Sequence, residues 1–415
     1  MTGLKIKISM FINYFLFAIL LNSIGTIILQ VQHYFGASPS STAMIELFKD
    51  ISIGVTSFLG ASLLTHLGYK KSMLLALALA GLACLAMPLL KTFTGIKILF
   101  SVCGASFALT KMSVLGTLGL ITQSEKEYIS TMNFIESFFM VGIVCGYFIF
   151  SRYIDDRQAG SASWFNVYFL LASMAALAFV LLWSTPLQEE GRLLKGSIRK
   201  DFSGMLRLIL MPTVVAFVIC AFLYVVVEQS IMSWLPTYNN KVLQLPSTMS
   251  VQVTSILAGA TALGRLVAGI VMKRFNWFPV LLTCLVSACL LVIAALQLSD
   301  KMGGTGWFSV PAVAFLFPLI GFFLAPIYPA INAVVLSSLP KSNHAWMSSL
   351  IVVFSALGGM LGSLTTGFMF EFYGGKTAFY FSLIPMTLLM TALFVFDRSR
   401  TRRQADVTVL REAFS

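Results

Sequence analysis

Charge is scarce in this sequence. Asp, Glu, Lys and Arg make up 11% of its 415 residues, against 58% hydrophobic. A soluble domain is about a quarter charged, so this chain has too little polar side-chain surface to cover itself in water. Its mean hydropathy of +0.89 places it in lipid. Histidine is scarcer still, with three copies, and the six cysteines all fall within apolar spans rather than loops. That pattern excludes a readable metal cluster and a disulfide framework. The net charge of +12 does not point to nucleic acid, because the bases are scattered between apolar runs with no basic patch interleaved with aromatics. No phosphate-binding loop is present, which excludes a nucleotide-driven pump. No nucleophile–base pair is present either, so the expectation is a protein that is not an enzyme and carries no cofactor.

What the chain does have is long hydrophobic runs. A helix crosses the bilayer in roughly 20 apolar residues. Such runs lie near 8–30, 43–65, 72–90, 97–120, 128–150, 164–184, 208–236, 250–272, 277–298, 307–337, 345–370 and 376–396. The first has no small-residue cleavage site leading into a soluble domain, so it reads as a membrane helix and not a removed signal. The largest polar interruption, TPLQEEGRLLKGSIRKDFSGMLR at 185–207, divides the runs six and six. The expected fold is therefore all-α, with twelve transmembrane helices in two six-helix halves. Residues 1–184 form the first bundle, 185–207 a linker, 208–398 the second bundle and 399–415 a tail. The second helix of each half ends in a similar basic turn, HLGYKK at 66–71 and MKRFNW at 272–277, a weak internal repeat.

Lys and Arg set the orientation. With an inside N-terminus, the outer loops hold Lys91, Lys97, Arg152, Arg157, Lys241, Lys301 and Lys376. Most other bases fall inside, including five in the 185–207 segment and four at 398–403. Both termini are expected in the cytoplasm, with the chain in a bacterial inner membrane.

The remaining charges fall within the runs, where an ionisable group costs a few kcal/mol or more and normally faces the bundle interior or a wet cavity. They are Glu46, Lys49, Asp50, Lys111, Glu136, Glu228 and Arg265. Glu228 sits inside AFLYVVVEQSIMSW (221–234), with Tyr224 one turn earlier on the same face. A carboxylate beside a tyrosine hydrogen-bonds a polyol or holds a proton; pairing with a neighbouring helix is the alternative. Asn133, Glu136 and Ser137 make a polar stripe on an apolar helix. Lys111, in ASFALTKMSVLG, lies too deep to snorkel and is either a counter-ion, held charged by Glu136 or Asp50, or a ligand for an anionic group. Glu46 and Lys49 are expected as a solvated pair at the membrane interface, with Asp50 deeper. Arg265 either snorkels or clamps a gate. GGMLGSLTTG (358–367) allows close helix approach. Pro326 and Pro329 interrupt the tenth run, and broken helices commonly border a substrate site; a packing kink is the other reading.

Twelve runs in two halves with a basic central segment resemble the major facilitator superfamily. That family's signature after helix 2 is degenerate here: ASLLTHLGYKK keeps Gly68, Lys70 and Lys71 but has Thr65 and His66 for the acid and Arg. LYVVVEQSI (223–231), LGRLVAGIVMKRF (263–275), YPAINAVVLSSL (328–339) and NFIESFF (133–139) resemble helices 7, 8, 10 and 5 of the fucose–proton symporter family. HYFGASPSS (33–41) and SWLPTY (233–238) lean toward its TsgA-type branch. The resemblance implies alternating access and a substrate-facing Glu228. It places Asn22, Lys111, Asn133, Glu136, Tyr224, Tyr328 and Asn332 as substrate-binding candidates, and Arg265, Gly68 and Lys70 as gate or structural residues. The sequence departs from the family at Asn22-Ser23, usually Asn-Asp, and at Lys111, where helix 4 usually carries an acid. Proton coupling then either moves to Asp50, Glu136 or Glu228 or is absent, and Lys111 makes an anionic substrate more plausible than a plain sugar.

The leading expectation is a monomeric secondary transporter of a small polar solute, sugar-like or a small organic acid, coupled to protons. Efflux of a drug or metabolite, or a non-transporting receptor or scaffold, are the alternatives. Buried charge argues against a scaffold, which has no need to keep it.

Overall fold

The computed structural model describes residues 2–122, 125–158, 160–187, 207–299, 311–337, 339 and 344–413. Most of the expected linker, and the side chain of Asn133, lie outside the described residues. In lipid every backbone N–H and C=O needs an internal partner, and helices supply one along the segment itself. Among the described residues the only regular elements are helices.

The first half comprises α1 (Thr2–Asn22), α2 (Ile24–Phe35), α3 (Pro39–Leu67), α4 (Tyr69–Leu90), α5 (Phe93–Ile121), α6 (Glu125–Ser151) and α7 (Val167–Trp183). The second comprises α8 (Pro212–Met232), α9 (Leu235–Lys241), α10 (Ser247–Val271), α11 (Trp277–Gln297), α12 (Leu316–Leu324), α13 (Ile327–Ser337), α14 (His344–Tyr373), α15 (Gly375–Phe381) and α16 (Leu383–Ala413). Four pairs, α1–α2, α8–α9, α12–α13 and α15–α16, are each one crossing with a break, which gives twelve crossings. Eleven of them are long and apolar enough to span a membrane on composition alone. The twelfth is α3, whose Glu46, Lys49 and Asp50 crowd the outer part of the helix.

The structure changes the expected limits. The first crossing, read as one run at 8–30, starts earlier and is interrupted at Ser23, whose Oγ donates to Leu20 O at 2.8 Å. The second begins four residues before the expected 43. Ser38 caps it by accepting from the Ser41 amide at 3.3 Å, and Pro39 opens the first turn, where it needs no donor. The tenth breaks at Ala325–Pro326, because Pro326 has no N–H for the Phe322 carbonyl. Gly264 of α10 packs flat against that same carbonyl.

The halves meet along α3 with α14 and α6 with α10. The glycines of α14 divide between two neighbours. Gly358 and Gly362 face the Phe222 and Val226 carbonyls of α8, whereas Gly359 and Gly367 face Asp50 and Ala43 of α3. This helix therefore docks closely on its own half and on the other half at once.

At the end of the bundle away from the termini, the halves are latched by hydrogen bonds. Lys241 donates to Gln32, and His33 Nε2 pairs with Asn240 Oδ1 at 3.0 Å. The Ser40 amide donates to Glu371 at 2.9 Å, the Thr248 amide to Asp156 at 2.9 Å, and Gln252 to Ser151 at 3.3 Å. This end is closed.

Candidate functional site

Two helix breaks meet between the halves. One is Ser23 in the first crossing; the other is Ser233–Trp234, where α8 gives way to α9. Gly25 lies against the Ser233 and Met232 carbonyls, so no side chain separates the two broken segments. Broken turns release backbone polar groups and draw polar side chains to them. Here Asn22, Glu46, Lys49, Tyr147, Gln229 and Ser233 surround a space of about 10 Å³, room for one water.

The charges beside it are dry. Glu46 is 0% exposed, and Lys49 and Asp50 are each 5% exposed. Lys49 Nζ lies 2.8 Å from Glu46 Oε1 and 3.2 Å from Asp50 Oδ1. The expectation of a solvated Glu46–Lys49 pair is corrected: α14 covers this face of α3, and its Gly359 leaves space for the Asp50 carboxylate. Glu46 Oε2 and Asp50 Oδ2 have no hydrogen-bond partner among the described residues. One base thus holds two acids, each with an idle oxygen. Asn22 donates back to Ala18 O at 2.9 Å, which leaves its carbonyl oxygen for the cavity.

A second cluster belongs to the other half. The Tyr224 hydroxyl donates to Glu228 Oε1 at 2.9 Å, and Arg265 Nη2 lies 3.9 Å from the same oxygen. Arg265 Nη1 also reaches Met140 Sδ of α6 at 3.7 Å, so this side chain spans the two halves. It is engaged inward and does not snorkel. Tyr328 stacks on Tyr224 with ring centroids 5.4 Å apart, and its hydroxyl pairs with Ser355 at 2.7 Å. Asn332, one turn on, has a buried Oδ1 without a partner among the described residues. The break at Ala325 borders Tyr224, Glu228 and Thr261, around a second space of about 10 Å³.

The clusters adjoin. Gln229 follows Glu228 in sequence and lines the first cavity, and Met232 lines both. Together the five charged groups are three acids (Glu46, Asp50, Glu228) and two bases (Lys49, Arg265), a net charge of −1 when all are ionised.

Lys111 and Glu136 do not join this set. Lys111 Nζ stands 5.9 Å from the Phe107 ring centroid. Among the described residues it makes no ion pair with Glu136 or Asp50, so the expected pairing is corrected: Lys49 takes Asp50. Glu136 is half-buried on α6, one turn before Met140. Gly68 and Lys70 lie at the far side of the first half. Gly68 links α3 to α4 at φ 82°, a left-handed position that suits glycine. Lys70 Nζ binds the Trp183 and Thr185 carbonyls at 3.0 and 2.7 Å, capping the end of α7.

Sequence reasoning missed Gln229, Tyr147 and Ser355. Gln229 carried a signal, a second polar residue directly after Glu228 in an apolar run. The other two are ordinary until the packing is known.

Comparison with known proteins agrees with this fold. The profile of the Major Facilitator Superfamily matches residues 10–317. The chain belongs to the Major Facilitator Superfamily. It is 22% identical over 408 residues to the protein TsgA homolog of Buchnera aphidicola subsp. Schizaphis graminum, covering 94% of this chain and 96% of that one. Among solved structures it resembles a bacterial homolog of the human lysosomal transporter Spinster, in an inward-facing and occupied conformation, with a TM-score of 0.74, 12% identity and 95% and 96% coverage. It also resembles a variant of the E. coli fucose:proton symporter FucP, with a TM-score of 0.63, 18% identity and 96% and 99% coverage. As a facilitator-superfamily member this is a multi-pass membrane transporter, and the two broken crossings described above, the first and the seventh, stand at corresponding places in its two halves.

Proposed function

We propose that the chain is a proton-coupled secondary transporter of a neutral, sugar-like solute, working by alternating access in a bacterial inner membrane. The observation that carries this reading is the excess acid where the helix breaks meet. Two bases against three acids, Glu46 and Asp50 buried and Glu228 about 20% exposed, leave one negative charge, which a single proton neutralises. A dry site tolerates net charge poorly, so proton occupancy and the closed arrangement support each other. Asp50 and Glu228 are the proton-coupling residues in this reading. Tyr224, Glu228, Tyr328, Asn332 and Asn22 supply hydroxyl, carboxylate, amide and aromatic groups suited to a polyol. Arg265 gates the site through Glu228. Lys111 and Glu136, away from the set, act at the approach to it. The net negative charge disfavours an organic acid.

The Lys and Arg pattern supports cytoplasmic termini, a cytoplasmic 185–207 linker between bundles 1–184 and 208–398, and a cytoplasmic tail at 399–415. In this reading the closed end faces outward and a monomer is the working unit. Cysteines placed in the 185–207 segment should react with an impermeant maleimide only after the membrane is opened.

The functional test is solute-driven proton movement in proteoliposomes. Neutral hexoses, pentoses and nucleosides form one panel, monocarboxylic acids a second and small primary amines a third. Movement with a neutral sugar, lost in Glu228→Ala with folding unchanged, is the expected result. A response confined to the carboxylic acids overturns the reading. Efflux of an organic cation is the second reading, favoured by the same net charge, and a response confined to the amines would select it.

A further inference from the structure

At the closed end of the bundle, a groove of about 540 Å³ runs between the halves and opens outward. Ser41 and Met44 of α3 and Lys97 of α5 form one wall; Leu364 and Phe368 of α14 and Phe381 of α15 form the other. Met44 and Phe368 are among the exposed hydrophobics, at 39% and 49%. Lys97 Nζ stands 4.2 Å from the Phe93 ring centroid and makes no ion pair among the described residues. Glu371, an acid at this end, instead accepts from the Ser40 amide. Lys97 is the fifth residue of α5, about 6 Å below the helix start at 1.5 Å per residue. That depth is the level where hydrocarbon gives way to headgroups.

We propose that this groove binds a membrane phospholipid, with the headgroup phosphate on Lys97 and the Ser41 hydroxyl and an acyl chain along Met44, Leu364 and Phe368. Three features select this occupant. Its walls carry the exposed Met44 and Phe368, apolar surface that suits an acyl chain. Its apolar floor continues from an unpaired cation at headgroup depth, which matches the order of groups in a phospholipid. It also shares no lining residue with either cavity at the helix breaks. Because its walls come from different halves, the groove is complete only while this end is closed. A bound lipid therefore favours that state.

The test uses the purified full-length protein in a maltoside detergent, with binding followed by native mass spectrometry and by melting temperature. The probes are phosphatidylglycerol, a diacylglycerol with the same chains, and glycerol 3-phosphate. Phosphatidylglycerol should bind one-to-one at its tightest site and raise the melting temperature; the other two should not. Lys97→Gln should weaken that binding about tenfold, the scale of one charge-assisted hydrogen bond, and Lys97→Arg should keep it. Met44→Trp, which fills the groove and leaves Lys97 in place, should also block it. Equal binding by Lys97→Gln overturns the proposal, as does an equal shift with diacylglycerol. An equal shift with glycerol 3-phosphate overturns it in favour of a free phosphate site.

Discussion

Gly25 lies so close to Ser233 that a Cβ at position 25 would stand 2.9 Å from the Ser233 carbonyl oxygen. Both residues sit at helix breaks, one in each half, and the obstructing atom is backbone that cannot rotate away. Gly25→Val should force the halves apart at the closed end. Overpacking of this kind costs roughly 1–3 kcal/mol, so the melting temperature should fall. A cysteine introduced at Asn240, within the latch, should then react faster with maleimide than in the parent. Unchanged reactivity would show that closure does not depend on this contact.

Lys49 holds Glu46 and Asp50 together in a dry environment. Removing one partner of a buried pair typically costs about 3–5 kcal/mol, because it strands the remaining charge. Lys49→Met should therefore express poorly and melt early. Lys49→Met combined with Glu46→Gln and Asp50→Asn should recover folding, since no charge is left unpaired, but not proton-coupled transport. Melting temperature and proton flux are the measurements, and a fully active triple variant would remove Asp50 from the coupling scheme.

Arg265 and Glu228 are 3.9 Å apart, a loose pair shared with Met140 across the halves. A double-mutant cycle of Arg265→Gln and Glu228→Gln should give a coupling energy for transport above about 0.5 kcal/mol, the level at which non-additivity is meaningful. Arg265→Lys, which loses the planar fork, should not substitute for it. Strict additivity would mean that the two residues act separately.

Lys111 rests near the Phe107 ring, and among the described residues no carboxylate pairs with it. Lys111→Met should change stability by less than about 1 kcal/mol, the scale of an exposed cation–π contact. Adding Glu136→Gln should then be additive in melting temperature. A large loss on Lys111→Met, rescued by Glu136→Gln, would restore the pairing that the sequence suggests.

The Lys70 ammonium caps the last carbonyls of α7. Lys70→Ala should lower stability by about 0.5–1.5 kcal/mol, the usual net worth of a hydrogen bond, without altering solute selectivity. A change in selectivity would connect this distant turn to the site.

The sequence by itself determined that the chain crosses the membrane, and roughly where. Lipid leaves a backbone few choices, so long apolar runs between polar loops translate almost directly into helices. It also marked Glu228 beside Tyr224, because two polar residues one turn apart share a face whatever surrounds them. It did not reveal that Glu46 and Lys49 are dry. Their position near the start of a helix reads as interfacial until α14 is known to lie over them, with Gly359 letting it come close. Nor could spacing choose between partners for Asp50. Lys111 and Lys49 were both bases on the same half, and only packing places Lys49 within 3.2 Å. Tertiary structure alone brought the breaks at Ser23 and Ser233 together, for they are about two hundred residues apart and each is unremarkable in its own helix. A local pattern fixes which face a residue takes on its own helix; what that face meets is set by how the two halves close.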